Sequence, residues 1–173
     1  RVGWMLRSKL AAGARCALEH GGVAPVIVAE DAKLDEVLPK LLKGGFYHAG
    51  QVCVSVQRVF IARSLAREFA LQLAAAAKQL VVGDPTSADT EVGPLIRPSE
   101  VERVQQWVNE AIEEGAELLS GGKALSVSTF ECTVLYAPSV ESKVSREEIF
   151  GPVVCIYPYD EIDDAIAQAN SLP

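Results

Sequence analysis

Cys53 and Glu19 are the residues of this chain whose neighbours suit covalent chemistry. Cys53 closes the stretch Phe46-Tyr47-His48-Ala49-Gly50-Gln51-Val52-Cys53, between a helix-like and a strand-like run. The thiolate is the nucleophilic form of cysteine, and a free thiol of pKa ~8.5 is only a few per cent ionised at neutral pH. Such a residue needs a base nearby or donors that favour the anion. A cysteine taken alone is more often a small buried apolar residue, so the argument for chemistry comes from its surroundings. Glu19 stands just ahead of Gly21-Gly22, where the lack of a Cβ lets the backbone approach a ligand closely. Taken alone, it reads as a solvated acid in a loop.

The elements that must position these two follow from hydrophobic periodicity. Residues 4–14 read as a helix, with Leu6, Leu10 and Ala14 on one face, and residues 17–22 as a short strand running into the glycine turn. The β-branched run 23–29 predicts a buried strand. Residues 34–47 predict a helix in which Pro39 imposes a kink or a late start. A strand at 55–62 leads into an Ala/Leu-rich helix capped by Ser64 and ended by Gly83-Asp84-Pro85. Residues 86–96 form the longest loop, and a helix runs from Ser99 to Gly115. Short strands at 116–119, 133–137 and 153–157 precede a terminal helix opened by Asp160. Strands alternating with helices predict an α/β fold, a mostly parallel open sheet with flanking helices. In such sheets sites gather at the carboxyl ends of strands, which is where this reading puts Glu19.

Composition narrows the function classes. At 173 residues the chain can build one substantial core. A formal charge of −7 argues against nucleic acid or an anionic membrane surface as partner, since both call for concentrated Lys and Arg. No apolar run approaches the roughly 18 residues that span a bilayer. Cys16, Cys53, Cys132 and Cys155 are widely spaced and there are only two histidines. Neither a zinc cluster nor a disulfide framework follows, and a reducing, cytoplasmic setting is expected.

Four motifs in one order resemble the aldehyde dehydrogenase superfamily. Leu18-Glu19-His20-Gly21-Gly22 is similar to its glutamate motif, E-L-G-G, and residues 46–53 are similar to F-x-N-x-G-Q-x-C. Gly83-Asp84-Pro85 with Gly93-Pro94-Leu95-Ile96 looks like its central loop, and Glu148-Ile149-Phe150-Gly151-Pro152-Val153 matches E-I-F-G-P-V. The spacing from Glu19 to Cys53 also agrees, and the resemblance covers essentially the whole chain. It implies that Cys53 attacks an aldehyde carbon to give a thiohemiacetal, that a hydride passes to NAD or NADP, and that Glu19 activates the water that hydrolyses the thioester. The Cys53 N–H would supply half of an oxyanion site. Glu148 would bind the nicotinamide ribose and Phe150 would pack nearby to position the cofactor, where otherwise they would read as a surface acid and a core aromatic. Coenzyme-A-acylating members typically lack a glutamate at the Glu19 position, so a carboxylic acid product is expected.

Two departures stand out: His48 replaces the motif's asparagine and His20 its leucine. Both are expected to be structural, His48 as a hydrogen-bonder. A cysteine esterase would need a His base, for which His48 is the one local candidate; a non-catalytic relative would be expected to lack Cys53 or Glu19. The resemblance implies that residues 1–22 end a cofactor-binding domain and that residues 23–173 are the catalytic domain, truncated at both ends. It further implies a homodimer or homotetramer for the whole protein. The nucleotide loop is expected to lie outside this chain, which alone should not oxidise aldehydes.

Overall fold

The computed structural model describes residues 2–172. In chain order the elements are α1 (Val2–Arg7), β1 (Pro25–Val28), α2 (Leu34–Phe46), β2 (Arg58–Ala62), α3 (Arg63–Ala77), α4 (Pro98–Glu113), β3 (Glu117–Ser120), β4 (Thr133–Tyr136), α5 (Lys143–Arg146), β5 (Val153–Tyr159) and α6 (Ile162–Ala169). The strands form one sheet in the order β1-β2-β5-β4-β3. β1, β2, β5 and β4 run parallel, and β3 pairs antiparallel to β4. The expected mostly parallel sheet with flanking helices is what the chain forms.

Burial explains which segments became regular. β2 is buried at every position and β5 at all but Pro158, as expected for central strands covered on both faces. α3 turns Ala66, Phe69, Ala70, Leu73, Ala74 and Ala77 inward, and α4 does the same with Val101, Val104, Val108 and Ala111. These are the spacings of a helix with one apolar stripe. α2 approaches the sheet closely, since a Cβ on Gly45 would lie 2.3 Å from Val154 Cγ2 of β5.

Several local expectations change. The first helix stops at Arg7 and not at residue 14; it buries none of its residues, and short helices draw most of their stability from packing. Ser8 Oγ donates back to Met5 O at 2.7 Å, satisfying a terminal carbonyl. Residues 17–22 form no strand, because no neighbouring strand pairs with them and the sheet begins at Pro25. Pro39 sits inside α2, which starts at Leu34. α3 begins at Arg63 with Ala62 before it, so Ser64 is not its cap. α5, a single turn, is too short to leave a periodic signal.

Arg58 is the buried charge that joins the ends of this fold. It is 5% exposed and faces carbonyls, not a carboxylate. Its Nε and Nη2 donate to Val23 O at 3.1 and 2.9 Å, Nη1 to Gln168 O at 3.2 Å and Nη2 to Ala169 O at 3.2 Å. The last two are terminal carbonyls of α6, where the helix dipole favours a cation. Burial pulls the Arg58 pKa below its ordinary value. A lysine could not reproduce the planar fork. We therefore expect Arg58→Ala to cost about 2–4 kcal/mol, with Arg58→Lys recovering less than half. Urea unfolding checks this; a parent-like midpoint for the alanine variant would refute it.

Candidate active site

The candidate residues share one edge of the sheet, and it is not the expected one. Glu19 precedes β1, Cys53 precedes β2, and Glu148 and Phe150 precede β5. These strands are parallel, so the residues cluster at amino ends. The carboxyl ends carry a hollow of about 420 Å³ bordered by Glu30, Arg63, Tyr159 and Asp160. There Arg63 Nε donates to Asp160 at 2.6 Å. The usual preference for carboxyl ends reflects loops that lead from strands into helices. Here Cys53 lies on the connection from α2 back into β2.

That connection is built from left-handed backbone. His48 (φ 51°, ψ 34°), Ala49 (φ 55°, ψ 33°) and Gly50 (φ 70°) follow one another directly after α2. Non-glycine residues in this region cost roughly 1–2 kcal/mol each, and Asn and His are enriched there among them. This explains why His48 can stand in the motif's asparagine position. Its side chain is not the expected hydrogen-bonder: the ring stacks on Tyr47, with centroids 3.9 Å apart, and makes no hydrogen bond among the described residues. His20 likewise packs, against Trp4, at 5.8 Å between ring centroids.

Gly50 locks this turn to the E-I-F-G-P-V segment. A Cβ there would lie 2.0 Å from Gly151 O and 3.2 Å from Pro152 N, so two backbones touch where a side chain would stand. Gln51 holds a third motif: its Nε2 donates to His48 O at 3.2 Å and Pro94 O at 3.1 Å, and its Oε1 accepts from Ile96 N at 2.9 Å. Cys53 is then presented in the turn Val52 to Ser55, closed by Ser55 N to Val52 O at 2.8 Å. The thiol is exposed. Among the described residues its N–H has no acceptor.

Glu148 meets the glutamate motif through its carboxylate, whose Oε1 accepts from Gly22 N at 3.3 Å. Phe150 has φ 46° and is 41% exposed. It borders a groove of about 750 Å³ with Tyr47, His48, Gln51, Pro94 and Ile96. Glu19 is exposed and shares no hydrogen bond with Cys53. The structure thus joins the cysteine, central-loop and E-I-F-G-P-V motifs, and joins Glu148 to Gly21-Gly22.

Sequence reasoning missed Gln57, which read as part of a strand. It is 4% exposed; its Nε2 donates to Val144 O and Glu147 O, both at 2.8 Å, and its Oε1 accepts from Ile149 N at 3.0 Å. A glutamine inside the run V-S-V-Q-R-V-F-I-A was the available signal, since a buried amide must find partners. Arg103, also missed, donates to Ile149 O at 2.6 Å and to Glu100 at 2.8 Å. Arg103, and Arg97 after it, hold the Glu100 carboxyl below its usual pKa range.

The other thiols are placed for packing or lie away from this turn. Burial pushes Cys132 and Cys155 up to about 12, so both stay neutral at pH 8, whereas Cys16 is exposed. A limited dose of iodoacetamide at pH 8 should modify Cys53 first and leave Cys132 and Cys155 untouched, as read by peptide mass spectrometry; earlier labelling of Cys16 would count against Cys53 as the reactive thiol. Gly50→Ala meets both the backbone contact and the positive φ, and should destabilise by at least about 2 kcal/mol. Calorimetric melting tests this, and a parent-like midpoint would refute the close approach.

Comparison with known proteins agrees with this arrangement. The model of the aldehyde dehydrogenase family matches residues 1–173. A 3-sulfolactaldehyde dehydrogenase of Priestia aryabhattai is 42% identical over 171 residues, covering 98% of this chain and 35% of that protein. The chain therefore spans about a third of that relative's length. Among solved structures, glyceraldehyde-3-phosphate dehydrogenase from Methanocaldococcus jannaschii, complexed with NADP, is similar with a TM-score of 0.92 and 39% identity. That match covers 99% of this chain and 37% of the other. Aldehyde dehydrogenase 21 from Physcomitrella patens, in complex with the reaction product succinate, gives 0.91 and 35% identity, covering 99% and 35%.

Proposed function

For this chain, which belongs to the aldehyde dehydrogenase family, we propose that the whole protein oxidises an aldehyde to a carboxylic acid with NAD or NADP. One observation carries most of the reading. Cys53 stands exposed on a turn whose backbone abuts the segment that bears Glu148 and Phe150. A nucleophile and two residues suited to a nucleotide are thereby held on one sheet edge.

The residues present fit such a cofactor. Glu148 offers carboxylate acceptors suited to ribose hydroxyls, and Phe150 holds an exposed ring at the groove, suited to packing on a flat heterocycle. When bound, NAD(P)⁺ supplies the hydride acceptor. The chain's own residues do the rest. Cys53 Sγ bonds to the aldehyde carbon, and the carbonyl oxygen takes the developing charge of a thiohemiacetal. The Cys53 N–H, with no acceptor among the described residues, is free to donate to that oxygen. Once hydride has left, the carbon on Sγ is a thioester. Glu19 takes a proton from water as its oxygen attacks that carbon; the C–S bond breaks, releasing the acid and the Cys53 thiolate. Closure of the site around Glu19 would raise its basicity by desolvation.

Residues 1–22 are read as the end of a cofactor-binding domain and 23–173 as the catalytic domain. In support, α1 buries none of its residues and the sheet starts at Pro25. The chain alone is then inactive, lacking the phosphate-binding βαβ unit. A homodimer or homotetramer in the cytoplasm is the assembly we propose; four free cysteines suit a reducing compartment. Among the described residues no helix is long and apolar enough to cross a membrane.

Glu19→Gln in the whole protein should preserve a rapid first turnover of NAD(P)H and slow steady-state release by about 100-fold or more. Stopped-flow absorbance checks this. Loss of the burst would mean that Glu19 acts before the thioester forms, and a parent-like steady state would remove it from the reaction.

A further inference from the structure

We propose that Gly21 and Gln57 are positioning residues for Glu148, Gln57 fixing its backbone and Gly21 supplying the shelf on which its carboxylate rests. This builds on the reading of Glu148 as a cofactor-binding residue. It assigns that residue's orientation to two groups outside the E-I-F-G-P-V motif.

Space, not backbone conformation, requires glycine at position 21. The glycines with positive φ are Gly13, Gly50, Gly115, Gly121 and Gly122, so alanine at position 21 would not be conformationally strained. A Cβ on Gly21, however, would lie 2.0 Å from Glu148 Oε2, 2.3 Å from Oε1 and 2.4 Å from Cδ. Those three carboxylate atoms are the nearest it would meet. Gly22 differs: a Cβ there would meet nothing within 4 Å, and this residue contributes its N–H to Glu148 Oε1 at 3.3 Å. The pair thus divides two tasks, room from Gly21 and a donor from Gly22.

Gln57 decides how Glu148 would respond to a methyl group on that shelf. Its Nε2 holds Glu147 O at 2.8 Å and its Oε1 holds Ile149 N at 3.0 Å. These atoms belong to the two peptide groups that flank Glu148, so one buried side chain fixes both of the planes between which Glu148 Cα hangs. Arg103 adds a contact to Ile149 O at 2.6 Å. The backbone therefore cannot retreat, while the carboxylate is the free end of a flexible side chain. A methyl group at position 21 would turn the carboxylate off its shelf and away from Gly22 N–H, leaving the fold as it is. An ordinary packing glycine would behave in the opposite way, losing stability first.

The test uses the whole protein and two readouts besides turnover, the thermal midpoint and the dissociation constants of NAD⁺ and NADP⁺ from fluorescence titration. Gly21→Ala should keep the midpoint within about 2 °C of the parent. It should weaken binding of the preferred cofactor about tenfold, the scale of a lost hydrogen bond to a charged group, and within about twofold of Glu148→Ala. The double variant Gly21→Ala/Glu148→Ala should bind no more than about twofold more weakly than Glu148→Ala alone, because without the carboxylate the added methyl meets nothing. Gln57→Glu keeps an oxygen facing Ile149 N–H but sets oxygen against Glu147 O. Its effect on cofactor affinity should also vanish in the Glu148→Ala background, whatever it does to the midpoint. Parent-like binding by Gly21→Ala while Glu148→Ala weakens it would overturn the shelf and leave the role of Glu148 standing. Additive losses in the double variants would equally overturn it. If Glu148→Ala itself leaves both dissociation constants unchanged, the cofactor reading of Glu148 falls and the proposal falls with it.

Discussion

Two stretches of backbone meet at Gly50 and Gly151 with no side chain between them, and the candidate site is arranged around that contact. A Cβ on Gly50 would fall 2.0 Å from Gly151 O. The approach is possible because the chain leaves α2 through three successive left-handed residues, two of them not glycine. The cost of that conformation, roughly 1–2 kcal/mol for each non-glycine residue, must be met by the packing around it. Ala49 is buried at 1% exposure, so this backbone is enclosed and cannot relax without disturbing the core. The consequence is a cysteine presented outward on a turn whose base is immobile.

Polar side chains, not apolar packing, carry that fixed point outward to the other motifs. Gln51 ties the turn to Pro94 and Ile96. Gln57 ties the start of β2 to both flanks of Glu148, and Arg58 joins β2 to Val23 and to the end of α6. These side chains are all amides or guanidinium groups bonded to backbone carbonyls and N–H groups. A carboxylate could not donate to those carbonyls, and an aliphatic side chain would leave them without partners in the interior. The segment 51–58 thus serves as a polar spine between the thiol and the central strands.

The placement of the site at the amino ends of the parallel strands has a functional counterpart. The residues proposed to handle the aldehyde and the cofactor are exposed or half-buried: Cys53, Glu19, Phe150 and Glu148. The core beneath them is closed, with Val59, Ile61, Val154 and Ile156 fully buried. Such an edge suits a site completed by further structure laid over it. That agrees with a chain spanning about a third of the length of a relative it matches.

The sequence by itself determined the fold class, the family and the order of the four motifs. Each of these depends on local pattern: β-branched runs, helical stripes such as Val101, Val104, Val108 and Ala111, and short motifs whose residues are contiguous. It was less informative wherever stability comes from distant partners. Residues 17–22 have the composition of a strand, yet no strand pairs with them; residues 8–14 have helical spacing, yet lack a surface to pack on. Nor could any local pattern disclose that Gly21 faces Glu148 or that Gln57 grips both of its peptide groups, because those contacts close loops of more than ninety residues. Tertiary structure alone decided which edge of the sheet holds the candidate site. The physical reason is that a left-handed turn and a glycine contact redirect the chain after α2, and both depend on what stands opposite them in space.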